Sequence, residues 1–343
     1  MIRFGPSGIP LSCKGRTLKD GIEDVHGLGL TAMEVQLVRV NLTERYARDD
    51  EVGLTPKKIL GELIVEINRQ KGEKDEAITN LDAKIQKGDI LYSLTSGLAR
   101  DYEELAELGS LARELDIELS LHTPYYMDLA GGGDLTRRSM DSTKWGGLMA
   151  NEMGADIVVT HAGLYGELTP RQTMNRVVKN LTELQNWYKK MKIKAKIGVE
   201  TSGRQEVFGS LKEVIKLCEK VKGVLPVLNF SHIHSRTKGS LRKSEDFQKV
   251  LDEVKPFCKK HYHAHFSGVE HEGGNELRYT PIKRGDLRFE PLAEAILDGN
   301  LDITIISSSP LLEHDAMYMK VILERVLSRK MGKNLKKRDE VKK

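Results

Sequence analysis

Cysteine is scarce in this chain of 343 residues: there are three, at Cys13, Cys218 and Cys258, far apart and forming no CxxC pair. That excludes a disulfide framework and a thiolate zinc site. Long apolar runs are missing, none approaching the ~20 residues of a membrane span. The N-terminus, MIRFGPSG, lacks the apolar core of an export signal, so no membrane association and a cytoplasmic location are expected. No GxGxxG follows the first strand and no Walker loop occurs, which weighs against a doubly wound nucleotide-binding sheet. Neither sign of charge dominates: 54 Lys and Arg stand against 50 Asp and Glu, a net of +4. Much of that excess lies between Arg329 and Lys343. Residues 331–343 therefore read as a basic, solvated C-terminal tail on a near-neutral body, which does not by itself license nucleic-acid binding. What is present is 39% apolar and 30% charged residues, the balance of a folded globular chain with a large core. The length fits two ordinary domains or one (β/α)₈ barrel with insertions.

Short apolar runs alternate with segments of helical period. Runs around Phe4, Glu34, Leu121, Val159, Val199, Leu228, His263 and Ile305 read as strands, and the longer segments between them as helices. Such alternation means parallel β/α structure, and eight strands is the number that closes a barrel. We therefore expect an α/β fold, a (β/α)₈ TIM barrel forming one domain over residues 1–330. The alternation breaks once, where ~60 residues separate the second strand from Tyr102, far more than an ordinary connection. Its segments ELIVEI, QKGEKDE, KIQKGDIL and YSLTSGL read as a small β-rich insertion over about 50–97.

Polar residues with metal-binding capacity stand at or just beyond successive strand ends. His122 follows IELSL, His161 follows DIVVT, Glu200 follows KIGV, Asn229 and His232 follow PVL, and His263 and His265 lie in HYHAH. The intervals are 39, 39, 29 and 36 residues from His122 through His161, Glu200 and Asn229 to His265, each about one β/α unit. In a barrel those strand ends converge on one mouth. Neutral imidazoles with a carboxylate are ligands for zinc and similar divalent ions, and ions bridged by a carboxylate activate water and offset charge on a phosphoryl group. A single histidine at a strand end is more often a hydrogen-bonding cap. Three such groups in register on consecutive strands favour a metal at His122, His161 and Glu200. Alternation puts His261, His263 and His265 on one face of their strand, inward or outward together.

The segments LHTPYY (121–126), THAGLYG (160–166), VETSG (199–203), VLNFSHIHSR (227–236), HFSGVEHEGG (265–274) and SSP (308–310) resemble, in this order, the endonuclease IV family. These are zinc-dependent apurinic/apyrimidinic endonucleases among the xylose isomerase-like barrels, and the resemblance covers most of the chain outside about 50–95. It implies a trinuclear zinc cluster: His122 and His161 on the first ion, Glu200 as the bridge, His265 on the second ion and His232 on the third. It implies that Tyr125 and Tyr126 sit beside unstacked bases. Arg39 matches a DNA-penetrating loop in position only. Read from the residues alone, the tyrosines serve equally as packed loop aromatics and Arg39 as a solvated surface residue.

The pattern also departs from the family. Asn229 stands where it has an aspartate and Ser308 where it has a glutamate, and the aspartate and histidine of its third site are answered only by Glu276 and Tyr279. Two negative charges leave the second site and one imidazole leaves the third. The expectation is thus one well-supplied Zn²⁺ at His122, His161 and Glu200. A weaker second ion would lie near Glu200, His265 and Asn229, and the weakest near His232 and Glu276. The activity implied is metal-dependent hydrolysis, with Glu200 as the catalytic residue, of the phosphodiester beside an abasic sugar flipped from duplex DNA. DNA is then the partner, and no protein partner is evident. Two alternatives stay open: a sugar isomerase or epimerase of the same barrel group, and a DNA-binding barrel impaired in catalysis by Asn229 and Ser308.

Overall fold

The computed structural model of the protein describes residues 1–38, 40–72, 74–258 and 261–341, with side chains described as far as Gly332. Eight short strands form the centre: β1 (Ile2–Pro6), β2 (Ala32–Gln36), β3 (Glu118–His122), β4 (Ile157–Thr160), β5 (Lys196–Glu200), β6 (Val224–Asn229), β7 (Tyr262–Phe266) and β8 (Ile303–Ser307). They pair in parallel in the order β1–β8–β7–β6–β5–β4–β3–β2. A single bridge, Ser7 to Glu34, joins β1 to β2 and brings the sheet round to a nearly closed barrel. At this seam a Cβ on Gly5 would lie 1.8 Å from the Ala32 carbonyl oxygen, so glycine is what lets the two strands meet.

Helices cover the outside: α1 (Leu18–Gly27), α2 (Tyr102–Glu114), α3 (Asp134–Met153), α4 (Pro170–Lys190), α5 (Leu211–Lys220), α6 (Phe230–Arg236), α7 (Ser244–Cys258), α8 (Phe289–Asp298) and α9 (Glu313–Val341). Local chemistry fixes several starts. Thr17 with Asp20 and Thr169 with Gln172 form reciprocal capping boxes, the second with Pro170 in the first turn. The helices bury one face against the strands, as Leu18, Ile22 and Val25 do in α1. An edge-to-face series of Phe4, Phe289 and Phe266, with centroids 6.1 and 5.0 Å apart, ties β1, α8 and β7 together.

The β-rich insertion is a separate four-stranded antiparallel sheet of Asn41–Tyr46, Ile64–Lys71, Lys74–Ile78 and Ile90–Thr95. It begins earlier than the expected residue 50, because Asn41–Tyr46 is a mostly exposed, polar strand with no apolar alternation to mark it. Behind the sheet Ile59, Ile64, Ile67, Ile85 and Leu91 make a small core of their own. At the C-terminal end the backbone of α9 continues to Val341, as a run rich in Lys, Arg, Leu and Glu favours.

Candidate metal centre

The last residues of β3 and β5 and the first residue after β4 bring His122, Glu200 and His161 to the barrel mouth. One ligand atom from each lies within 4.8 Å of the others. Glu200 Oε2 is 2.8 Å from His122 Nε2 and 3.8 Å from His161 Nε2. Two donors each ~2.0–2.1 Å from a tetrahedral ion stand roughly 3.3 Å apart, so the spacing fits a small divalent cation. The orientation of the His122 ring fits as well. His122 Nδ1 donates to the Thr123 carbonyl at 2.6 Å, which leaves Nε2 facing Glu200; a ligating histidine is commonly oriented through its other nitrogen in this way. Burial pulls His161 down to about 4, so it is a neutral imidazole at physiological pH.

The other oxygen of Glu200 is held from three sides. Asn229 Nδ2 donates to Oε1 at 2.7 Å, while His265 Nδ1 and His232 Nδ1 lie 3.3 and 3.5 Å away. Burial would raise the Glu200 carboxyl, but His265, His161 and His122 outweigh it and hold it well below the usual carboxylate range. Asn229, expected among the ligands, lies against Glu200. Its Oδ1, the only atom able to ligate, accepts the His232 amide at 3.1 Å and caps α6, while its Nδ2 also donates to the Tyr279 hydroxyl at 2.8 Å. It positions Glu200.

His232 and Glu276 come together as expected: His232 Nε2 is 3.0 Å from Glu276 Oε2 and 2.6 Å from the Tyr279 hydroxyl. Glu276 and Tyr279 arrive on a hairpin of Gly268–Glu272 and Asn275–Thr280 that folds over the mouth after β7. Gly203 makes room for this contact, since a Cβ there would come 2.7 Å from Glu276 Oε2 and 2.9 Å from the His232 ring. The histidines of β7 point inward. His265 joins Glu200, and its Nε2 meets Glu34 Oε2 at 3.0 Å, with His263 Nε2 3.3 Å from the same oxygen. Burial opposes protonation of His265, yet Glu34 and Glu200 on either side push it up to about 10.

Glu34 was absent from the expected site. Its signal was present in the sequence: an acidic residue inside the otherwise apolar run AMEVQLV, at an inward position of β2. A third trio, His234, His271 and Asp286, lies outside the barrel between α6, the hairpin and the segment before α8. There His234 Nδ1 accepts the Leu241 amide, so its proton sits on Nε2 and is donated to Asp286 Oδ1 at 3.1 Å. His271 Nε2 reaches the same oxygen at 3.3 Å. With that proton committed, the trio is a hydrogen-bonded clasp.

Tyr125 and Tyr126 follow β3 at the mouth, 77% and 46% exposed and packed edge to face at 5.3 Å. Arg39 lies outside the described residues. Glu313 and Asp315 are structural: Glu313 accepts the amides of Leu11 and Ser12, and Asp315 that of Ile282. Among the described residues no helix is long and apolar enough to cross a membrane.

The chain is 28% identical over 248 residues to an uncharacterized protein of Methanocaldococcus jannaschii, covering 69% of this chain and 87% of that one. Among solved structures, a D-tagatose 3-epimerase-like protein superposes with a TM-score of 0.59 at 16% identity, covering 96% of this chain and 99% of the other. Endonuclease IV from Thermus thermophilus superposes with a TM-score of 0.57 at 17% identity, covering 94% and 99%. At those identities the likeness is one of fold, and the fold hosts enzymes of both kinds. Residues 93–310, well over half of the chain, match the family described as xylose isomerase-like TIM barrel, and the protein belongs to that family.

Proposed function

We propose that the protein is a metal-dependent phosphodiesterase that cleaves DNA at abasic sites. The observation that supports this reading is the meeting of His122, His161 and Glu200 at the mouth within ligand distance of one another. A two-histidine, one-carboxylate set keeps coordination positions open, and a divalent ion held there supplies Lewis acidity toward a phosphoryl oxygen and activates water. The chain's own groups prepare that chemistry. His122 and the Asn229 amide hold the two oxygens of Glu200 in one orientation, and the neutral His161 needs to lose no proton to ligate. The Tyr279 hydroxyl, between the Asn229 amide and His232 Nε2, holds a proton at the pocket edge for a departing oxygen. The exposed faces of Tyr125 and Tyr126 offer stacking to bases beside the lesion. Isomerisation has less support. Proton transfer by a pair of carboxylates calls for a free one beside Glu200, but Ser308 follows the end of β8, Glu276 is paired with His232 at 3.0 Å and Glu34 with His265 at 3.0 Å.

Incubation of zinc-loaded protein with a synthetic duplex carrying one abasic site tests this. The expected result is a single chelator-sensitive nick at the lesion and none in the intact duplex. Glu200→Gln should slow it by on the order of a hundredfold or more, since it removes a charged ligand and even the loss of a group that only orients a ligand costs ~10–100-fold. Metal-loaded protein that leaves the abasic strand whole refutes the proposal.

A further inference from the structure

We infer a second cation site inside the barrel, formed by Glu34 of β2 and His263 and His265 of β7, distinct from the group at the mouth. One ligand atom from each of the three lies within 4.8 Å of the others. Glu34 Oε2 is 3.0 Å from His265 Nε2 and 3.3 Å from His263 Nε2, again close to the roughly 3.3 Å between donors around a tetrahedral ion with bonds of ~2.0–2.1 Å.

The surrounding hydrogen bonds suit ligation. When His265 Nε2 ligates, its Nδ1–H still has Glu200 Oε1 at 3.3 Å to donate to, which is the carboxylate–histidine–metal arrangement that fixes a ligand's tautomer and raises its basicity. Glu34 is oriented in the same manner: Gln36 Nε2 donates to Oε1 at 3.1 Å, Ser120 Oγ to Oε2 at 3.3 Å and Ser7 Oγ to Oε1 at 3.5 Å. A TIM barrel interior is ordinarily filled by branched apolar side chains. Here a fully buried carboxylate and two imidazoles occupy it instead; burying such groups is costly unless a charge of opposite sign meets them, a role that protonated His265 fills in the metal-free chain and a bound cation would take over.

The chemistry of the donors selects the ligand. Two imidazole nitrogens and one carboxylate oxygen suit a borderline divalent transition ion such as zinc rather than magnesium or calcium. His263 also borders a cavity of about 710 Å³ among the strand starts, lined by Glu118 and Asp156 together with Lys194, Lys196 and Lys222. The inference holds whichever reaction the mouth performs.

The test is metal content after stripping with chelator and reloading with zinc. Glu34→Gln and His263→Gln should each bind one ion fewer per chain than the wild type, and His161→Ala should lose a different ion, so that Glu34→Gln/His161→Ala binds two fewer. Equal zinc content in Glu34→Gln, His263→Gln and the wild type overturns the site. Because a variant can fail to fold, anomalous diffraction at the zinc edge from wild-type crystals gives an independent answer. A peak ~2.0–2.2 Å from Glu34 Oε2 and the two Nε2 atoms supports the site. A peak confined to His122, His161 and Glu200 overturns it, while leaving the reading of the mouth intact.

Discussion

The Asn229 amide donates to Glu200 Oε1 at 2.7 Å and its carbonyl caps α6 at the His232 amide. A neutral side chain thus fastens a buried carboxylate where an aspartate would repel it. Asn229→Asp isolates this effect, because aspartate caps a helix as well as asparagine does and differs little in size. In the stripped protein two carboxylates would then face each other, and like charges at that separation cannot both ionise without cost. The expected outcome is a lower melting temperature than stripped wild type, by ~2–4 °C for each kcal/mol lost. Added zinc should close or reverse the gap, since a cation lying between the two carboxylates of the variant offsets their repulsion. Calorimetric scans with and without zinc decide the matter; a variant whose deficit is the same in both would show that charge at this position is not the issue. His161 differs from its neighbours for a related reason. Its Nε2 is 3.8 Å from Glu200, too far for the hydrogen bond that raises His122 against the effect of burial, so burial prevails and the ring stays neutral.

At the scale of elements, the insertion has its own charge network. Arg45 Nη2 meets Glu51 Oε1 at 2.6 Å, and its Nε meets Glu62 Oε2 at 2.9 Å. Burial would raise the Glu51 carboxyl, but Arg45 and the Arg48 amide lower it below its usual value. A carboxylate whose folded pKa is depressed contributes stability that is fully present above its unfolded pKa, ~4.3, and is lost as pH falls through the lower folded value. Amide hydrogen exchange over 41–95 should therefore accelerate as pH falls below about 4 after correction for intrinsic rates, and Glu51→Gln should flatten that dependence; the same profile in both would remove Glu51 from the account. The insertion also shows what a sequence conceals. The barrel strands were legible because each is a compact apolar run, and His122, His161 and Glu200 because each closes such a run at a regular interval. Asn41–Tyr46 was not, being largely exposed on both faces and held by its partner Ile90–Thr95. Nor was the role of Glu34, whose meaning depends on two histidines 229 and 231 residues away. The inward direction of His263 and His265 likewise followed only from the closed barrel, since alternation alone permits either face.

The molecule as a whole is closed at one narrow place. Between β1 and β2 the backbone supplies a single bridge, Ser7 to Glu34, whereas each of the other seven strand pairs shares two or more registered residues. Side chains lace the seam instead: Gln36 Nε2 donates to Ser7 Oγ at 2.8 Å and to Glu34 Oε1 at 3.1 Å. Glu34 then crosses the interior to both histidines of β7. An ion on Glu34, His263 and His265 would tie the β1–β2 joint across the interior to β7, and a ligand that binds only the folded state stabilises it by ~4 kcal/mol when present at roughly a thousand times its dissociation constant. Chelation should therefore act unevenly. Amide exchange should speed up most in β1 and β2, in the strand ends at the mouth to the extent that the first ion is lost as well, and least in the starts of β5 and β6. The His161→Ala protein separates the two contributions, because its remaining zinc would sit at the seam: adding chelator to that variant should still loosen β2 while leaving β4 and β5 as they were. If exchange in β2 of His161→Ala is indifferent to chelator, the seam is held by the chain's own contacts, among them the Thr31 amide on the Phe4 carbonyl, and the barrel needs no ion to stay shut.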